Sequence, residues 1–363
     1  MRYGLDSQCE CVGRHSIFCV VPPHILREIA SRGNDEQRQW ALETMSVDTS
    51  QRARRAMANE QSAAAAFILR PVPRRARVNR LIYDAQHGQN LPGVLKRAEG
   101  QPAVADVAVN EAYDGLGHVF DFYWGKYRRN SIDGHGMTMT ANVHYGTAYD
   151  NAFWDGHEMV FGDGDAKIFN RFTACLDVIG HELTHGVTQF EAGLAYHDQP
   201  GALNESMSDV FGVMVKQFVL NQTAVQADWL VGAGLLTFPN QALRSMKAPG
   251  TAYNNPLLGH DPQPADMAHF VHTASNNGGV HINSGIPNHA FYLLATALGG
   301  NSWEKAGQIW YDTQRGAALK AIRQTASFHD FADLTVAAAG ARYGAASAER
   351  TATVAAWHAV GVL

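Results

Sequence analysis

One stretch, VIGHELTHGV at residues 178–187, constrains this chain more than any other. His181 and His185 are four apart, and positions i and i+4 project from one face of an α-helix. Two imidazoles so placed can share a metal ion, with Glu182 rotated to the side, close enough to reach a metal-bound water without binding the ion. Two histidines that merely pack on a helix face give the same spacing. A catalytic zinc needs a third protein ligand and an open position. GALNESMSDVFGVMV, downstream at 201–215, has an amphipathic helical pattern with Glu205 and Asp209 on one face. One carboxylate can bind zinc while the other accepts the remaining ring N–H of a ligating histidine and fixes its tautomer. The plainer alternative is two acidic residues favoured by the helix dipole; beside HELTH, the metal reading is the better one.

The 363 residues allow two or three folding units at about 100–200 residues each. Net charge is −5 and the isoelectric point about 6.4, which is no electrostatic footprint for nucleic acid. No apolar run approaches the roughly 20 residues that span a bilayer, so no membrane partner is expected. The longest apolar run near the start, residues 17–21, is shorter than the roughly 7–15 residues of a secretory signal, and no A-x-A-like site follows. The chain is therefore expected inside the cell or exported by a non-Sec route. Of four cysteines, Cys9, Cys11 and Cys19 fall in the first 20 residues, which is not a disulfide framework. They lack a paired C-x-x-C, so zinc binding by them, or by His15, is not favoured. Cys175 reads as a small buried hydrophobe.

PPHILREIASRG predicts a short helix with prolines at its start, Ile25, Leu26 and Ile29 on one face, and Gly33 as its stop. Asn34 with Gln37 predicts a capping box opening a second helix, with Trp40, Ala41, Thr44 and Met45 along a stripe. SQRARRAMANEQSAAAAF then reads as an exposed linker helix with little to bury. LIYDAQHGQNLPG reads as a hairpin, NEAYDGLGHVFDFYWGKYRRNS as a helix with an aromatic face, and MTMTANVHYG and HEMVF as strands. GDGD at 162–165 reads as a turn rather than a cation site. After residue 171 the pattern is mostly helical. The expected division is a helical propeptide and linker at 1–65, a β-rich unit with the HELTH helix at 66–190, and an α-helical unit at 191–363.

HELTHGVTQ followed by GALNESMSD resembles the thermolysin family of zinc metallopeptidases, also called gluzincins. YDAQHGQNLPG, NVHYG, NAFWDGHEMVFGDGD, GLAYHDQPGALNESMSD, ALRSM and GGVHINSGIPNHAFYL agree in the same order, from about Leu81 to the C-terminal AWHAVGV. VPPHILREI resembles the short propeptide of the protealysin subgroup, which makes the chain a precursor. The resemblance implies an α+β, two-domain zincin with the active-site helix between the domains. It implies one zinc held by His181, His185 and Glu205, Glu182 as general base, and Asp209 as partner of a ligand histidine. Tyr196 and His281 become donors to the oxyanion. Asn151, Ala152 and Trp154 match the edge strand that pairs with substrate, and Arg244 the arginine that grips a substrate carbonyl. Leu243 and Val178 form the apolar wall of the pocket. Peptides, proteins and the chain's own propeptide are the implied partners, and a monomer is the implied state. The implied reaction is endoproteolysis before bulky apolar residues, including self-removal of the first 45–70 residues at bonds before Met57 and Phe67. A silent peptide-binding scaffold would have no need of Glu182, and an aminopeptidase would need a pocket for a chain end that nothing here resembles.

Two departures from the family pattern stand out. Asn276 occupies the place of the aspartate that pairs with the oxyanion histidine. An amide supplies no charge to support an imidazolium, so the alkaline limb of activity is expected at lower pH; the pH–rate profile of Asn276→Asp, with an alkaline shift, checks this. At the family's double-calcium site, Asp177 and Asp228 remain, but Lys216, Leu230 and Ala233 stand where the family has glutamates. Calcium takes about 6–8 oxygen ligands. No double-calcium site is expected, with Lys216 pairing with Asp177 or Asp228 in the ion's stead.

Overall fold

The computed structural model describes residues 18–62 and 76–363; Cys9, Cys11, His15 and Phe67 lie outside them. Two prolines preset the backbone at the start of helix α1 (Pro23–Arg32), which buries Ile25, Leu26 and Ile29 and ends where the Gly33 N–H returns to Ile29 O. Asn34 and Gln37 then cap each other, N–H to side-chain oxygen in both directions, at 3.0 and 2.9 Å. Helix α2 (Asp35–Ser62) follows as one unbroken helix. The sequence pattern predicts two helices there, but nothing between residues 46 and 52 is a Gly or Pro that would stop the first. The buried stripe of α2 is Ala41, Thr44, Asp48 and Gln51, at spacings of 3, 4 and 3. Three of its four members carry hydrogen-bonding groups, and an apolar-periodicity reading passes over Asp48 and Gln51.

The sheet has six strands in the order β1-β5-β6-β4-β2-β3. β2 (Arg80–Asp84) and β3 (Val94–Ala98) form the expected antiparallel hairpin. β4 (Met139–Val143) runs parallel to β2, and β6 (Met159–Phe161) parallel to β4. β5 (Ala152–Trp154) turns back antiparallel to β6. The outermost strand, β1 (Phe18–Cys19), comes from the N-terminal segment and pairs antiparallel with β5. Helix α3 (Val107–Tyr127) starts where Asp106 accepts the N–H of Ala108 and Val109, and it turns Phe120, Phe122, Tyr123 and Tyr127 into the core.

Helices α4 (Leu176–Phe190) and α5 (Asp198–Leu220) cross at two glycines. A Cβ on Gly180 would lie 2.9 Å from Gly212 Cα, and one on Gly212 would lie 2.5 Å from Asp177 O and 2.9 Å from His181 N. The backbones therefore touch, and both glycines are required by that approach. Behind α5 stand α6 (Asn276–Asn283), α7 (Gly285–Leu298), α8 (Ala306–Arg315), α9 (Ala317–Ala321), α10 (Phe328–Tyr343) and α11 (Ala348–Ala359). Trp310 and Trp357 stack at 5.7 Å and 4° in their core. The α+β architecture read from the sequence is the one observed, with a mixed sheet closed on one edge by the N-terminal segment. Among the described residues no helix is long and apolar enough to cross a membrane.

Candidate active site

α4 and α5 bring His181, His185 and Glu205 together with one ligand atom from each within 4.8 Å of the others. His181 Nε2 and His185 Nε2 are 3.1 Å apart, and the Glu205 oxygens are 3.6 Å from each. Tetrahedral zinc with bonds of about 2.0–2.1 Å sets ligand atoms about 3.3 Å apart, so the triad fits the ion. The hydrogen bonds point the same way. His181 Nδ1 donates to Asp209 Oδ1 at 2.8 Å, and His185 Nδ1 donates to Asn204 Oδ1 at 2.9 Å. Each neutral ring then presents its Nε2 lone pair to the other, an arrangement a cation between them satisfies. Burial holds the His181 pKa below its usual value, which keeps that lone pair available.

Glu182 is fully buried beside the triad. Its Oε2 accepts the Trp154 N–H at 3.1 Å, and its Oε1 is buried with no hydrogen-bond partner. Burial and the Glu205 carboxylate raise its proton affinity well above the usual glutamate range. Tyr196 Oη donates to Glu205 and lies 3.2 Å from His281 Nε2. His281 Nδ1 meets Asn276 Oδ1 at 2.9 Å. Asn276, Asn277, Gly278 and Gly279 all have positive φ, and this left-handed run curls the chain so that Asn276 reaches back to the histidine.

The N-terminal segment runs through this cleft. Val20 N–H donates to Ala152 O at 3.3 Å and Val21 N–H to Asn151 Oδ1 at 3.0 Å. Arg244 Nη1 donates to Val20 O at 3.0 Å. Cys19 O lies 3.1 Å from His281 Nε2. Asn151, Ala152, Arg244 and His281 are thus all engaged by residues 19–21, whereas Trp154 N–H turns to Glu182 and Tyr196 to Glu205. The Cys19 side chain sits away in a small cluster with Tyr145, Tyr149 and Phe153. Val178 and Leu243 are buried in the same apolar cluster as Val20. Arg244 is itself clamped by Asp209, Nε to Oδ2 and Nη2 to Oδ1, both at 2.8 Å. Against the desolvation of full burial, Arg244 and His181 keep Asp209 ionised well below the usual carboxylate range.

Several contacts were not visible in the sequence. Asn204 and Ser208, each the residue just before one of the acidic pair, both reach His185 Nδ1 at 2.9 Å. Asp48 of α2 accepts from Tyr149 Oη at 2.5 Å and from Asn151 Nδ2 at 3.0 Å, so the N-terminal segment holds Asn151 from a second side. His144 bridges Asp163 and Asp106 at 2.9 Å, and those two carboxylates raise its pKa to about 9. At the GDGD turn, Asp165 accepts the N–H groups of Lys167, Ile168 and Phe169. The Lys216 pairing, by contrast, is the one expected from the sequence: its Nζ lies 3.0 Å from both Asp177 Oδ2 and Asp228 Oδ1 and 2.6 Å from Leu230 O.

A buried His–His–Glu triad with an adjoining carboxylate, at the floor of a cleft that takes extended peptide along a sheet edge, defines a zinc metallopeptidase. Residues 47–189 match the thermolysin metallopeptidase catalytic domain and residues 192–362 the thermolysin metallopeptidase alpha-helical domain. An extracellular metalloprotease of Pectobacterium carotovorum subsp. carotovorum is 52% identical over 95% of this chain and 96% of its own. A thermolysin of Alicyclobacillus acidocaldarius subsp. acidocaldarius is 38% identical over 77% of this chain and 50% of its own. The solved precursor of protealysin, a metalloproteinase from Serratia proteamaculans, superposes with a TM-score of 0.85 at 51% identity, covering 95% of this chain and all of that one. The chain belongs to the thermolysin family of metallopeptidases and is a zinc metalloendopeptidase.

Proposed function

We propose that this chain is the precursor of a neutral, exported endopeptidase that cuts before bulky apolar residues, with its N-terminal segment lying in the cleft as a substrate would. The observation that carries this reading is the register of residues 19–21. Asn151 and Ala152 hold the backbone N–H groups, Arg244 holds the Val20 carbonyl, and His281 meets the Cys19 carbonyl. In that register Val20 stands at the residue after the cut bond, whose pocket we assign to Val178 and Leu243, buried in the same apolar cluster. Main-chain hydrogen bonds of this kind give breadth, and the one pocket gives preference.

When bound by His181, His185 and Glu205, zinc supplies Lewis acidity and a nucleophile at near-neutral pH. Glu182 takes the proton from the attacking water on its unpartnered Oε1 and passes it to the leaving nitrogen. Tyr196 and His281 donate to the oxygen that becomes negative. Trp154 anchors the other Glu182 oxygen through its N–H. Asp209 keeps His181 in the tautomer that presents Nε2. Asn276 orients His281.

Processing follows from the same cleft. The proposed boundaries are a propeptide and linker to residue 65, a β-rich unit at 66–190 and a helical unit from 191. Met57 lies inside α2, so the bond before it must unwind before it can lie along β5 as a strand. The names of the relatives support export. The deciding experiment maps products from peptides blocked at both ends, with zinc analysis of the same processed sample. Cuts before Leu or Phe at one zinc per chain are the expected result; hydrolysis confined to unblocked ends would overturn it.

Lys216 places its ammonium where two aspartates and a carbonyl converge. Burial alone would lower its pKa, but Asp177 and Asp228 outweigh this and raise it. A charge already neutralised leaves little for calcium to do. The melting temperature is expected to be unchanged, within about 2 °C, by a chelator that spares zinc. A rise of many degrees on adding calcium would count against this assignment.

A further inference from the structure

The Asp209 carboxylate accepts four hydrogen bonds, which is about its capacity. His181 Nδ1 and Arg244 Nη2 reach Oδ1, and Arg244 Nε reaches Oδ2, each at 2.8 Å. The fourth donor is Asn288 Nδ2, also 2.8 Å from Oδ2. Asn288 stands in the first turn of α7, far along the chain, and is completely buried. Its Oδ1 is buried with no hydrogen-bond partner. Leaving such an oxygen unsatisfied carries its full desolvation penalty, so an apolar residue of the same shape would suit packing better. The amide orientation is forced as well, because the reversed group would set its oxygen against the Asp209 carboxylate.

We propose that Asn288 is a positioning residue that fixes the Asp209 carboxylate and thereby couples two parts of the site, His181 at the metal and Arg244 at the substrate carbonyl. Asp209 can hold both partners only if it neither rotates nor slides toward one of them. The guanidinium pulls it one way along its fork, and the imidazole takes a single oxygen on one side. Asn288, donating to the oxygen that His181 does not use, sets the remaining degree of freedom. The inference rests on the functional reading above, because it assigns His181 to zinc and Arg244 to substrate.

The test uses Asn288→Leu, which keeps the volume and removes the donor, and Asn288→Ala as a second variant should the first fail to fold. Zinc release from the full-length chain is followed with a chromogenic chelator, and kcat and KM are measured after processing. Groups behind metal ligands typically carry about 10–100-fold effects. From one bond further out, release about 3–10-fold faster is expected, together with a raised KM and a lowered kcat. A merely structural role would lower the melting temperature without changing release from the folded protein. In an Asp209→Asn background the same substitution is expected to add less than about twofold, since the group it acts through has been altered. Release and kcat/KM within twofold of the parent, or an undiminished loss in the Asp209→Asn background, would overturn the proposal. A parent chain that holds no zinc or cuts no peptide would instead sink the functional reading itself.

Discussion

Replacing Glu182 by glutamine is expected to abolish peptide hydrolysis while leaving the chain folded, zinc-loaded and uncut at its N-terminus. The amide is isosteric with the carboxylate, and its oxygen can keep the 3.1 Å bond from the Trp154 N–H. What is lost is the proton acceptor at Oε1, the one buried oxygen of this residue with no partner. A positioned general base contributes about 10²–10⁴-fold, and an amide cannot substitute for it. The fall in kcat/KM on a blocked fluorogenic peptide should therefore be at least about a hundredfold. Because the N-terminal segment is to be removed by the same site, N-terminal sequencing of the purified variant should return the precursor's first residues. Activity within tenfold of the parent, or normal maturation in a preparation free of other proteases, would show that Glu182 is not the base.

The second large effect is on the frame rather than the chemistry. Gly212→Ala is expected to destabilise the protein by about 3 kcal/mol or more and to strip it of zinc. Its new Cβ would meet the Asp177 carbonyl at 2.5 Å and the His181 nitrogen at 2.9 Å, and both are backbone atoms of α4 that cannot rotate away. Overpacking a well-filled core costs about 1–3 kcal/mol even where side chains can adjust. Relief requires α4 and α5 to part. Since α4 carries His181 and His185 while α5 carries Glu205, parting them opens the triad. Thermal melting should shift down by about 6 °C or more, with the zinc content of the folded protein falling in parallel. An unshifted melt with full zinc content would mean that the helix pair has slack the backbone contact denies. Gly180→Ala, whose Cβ would approach Gly212 Cα at 2.9 Å, should behave alike.

These two predictions differ in how they could be reached. Glu182 was legible because helix periodicity is local: once VIGHELTHGV is a helix, the relative directions of His181, Glu182 and His185 follow. Glu205 and Asp209 were legible for the same reason. The capping pair Asn34–Gln37 and the stop at Gly33 also depend only on neighbours a few residues away, and both are found where expected. The glycine contact was hidden, because a glycine in a helical pattern signals only low propensity until the partner helix is in place. Asp48 was hidden as well, since a charge on a helix is ordinarily a solvated one, and only the docking of α2 beside Tyr149 and Asn151 makes it a buried acceptor.

By itself the sequence determined the residue types, their helical phase and, through the resemblance, the chemistry they belong to. Only the tertiary structure decided which atoms meet. It set the 3.1 Å between the two Nε2 atoms, gave His185 its partners Asn204 and Ser208, closed the Asp209 network with Asn288, and laid residues 18–21 along β5. The physical reason is range. Periodicity and capping act within a turn or two of the chain. A metal triad, a saturated carboxylate and an occupied cleft depend on distances between segments that the chain brings together only when its core is packed.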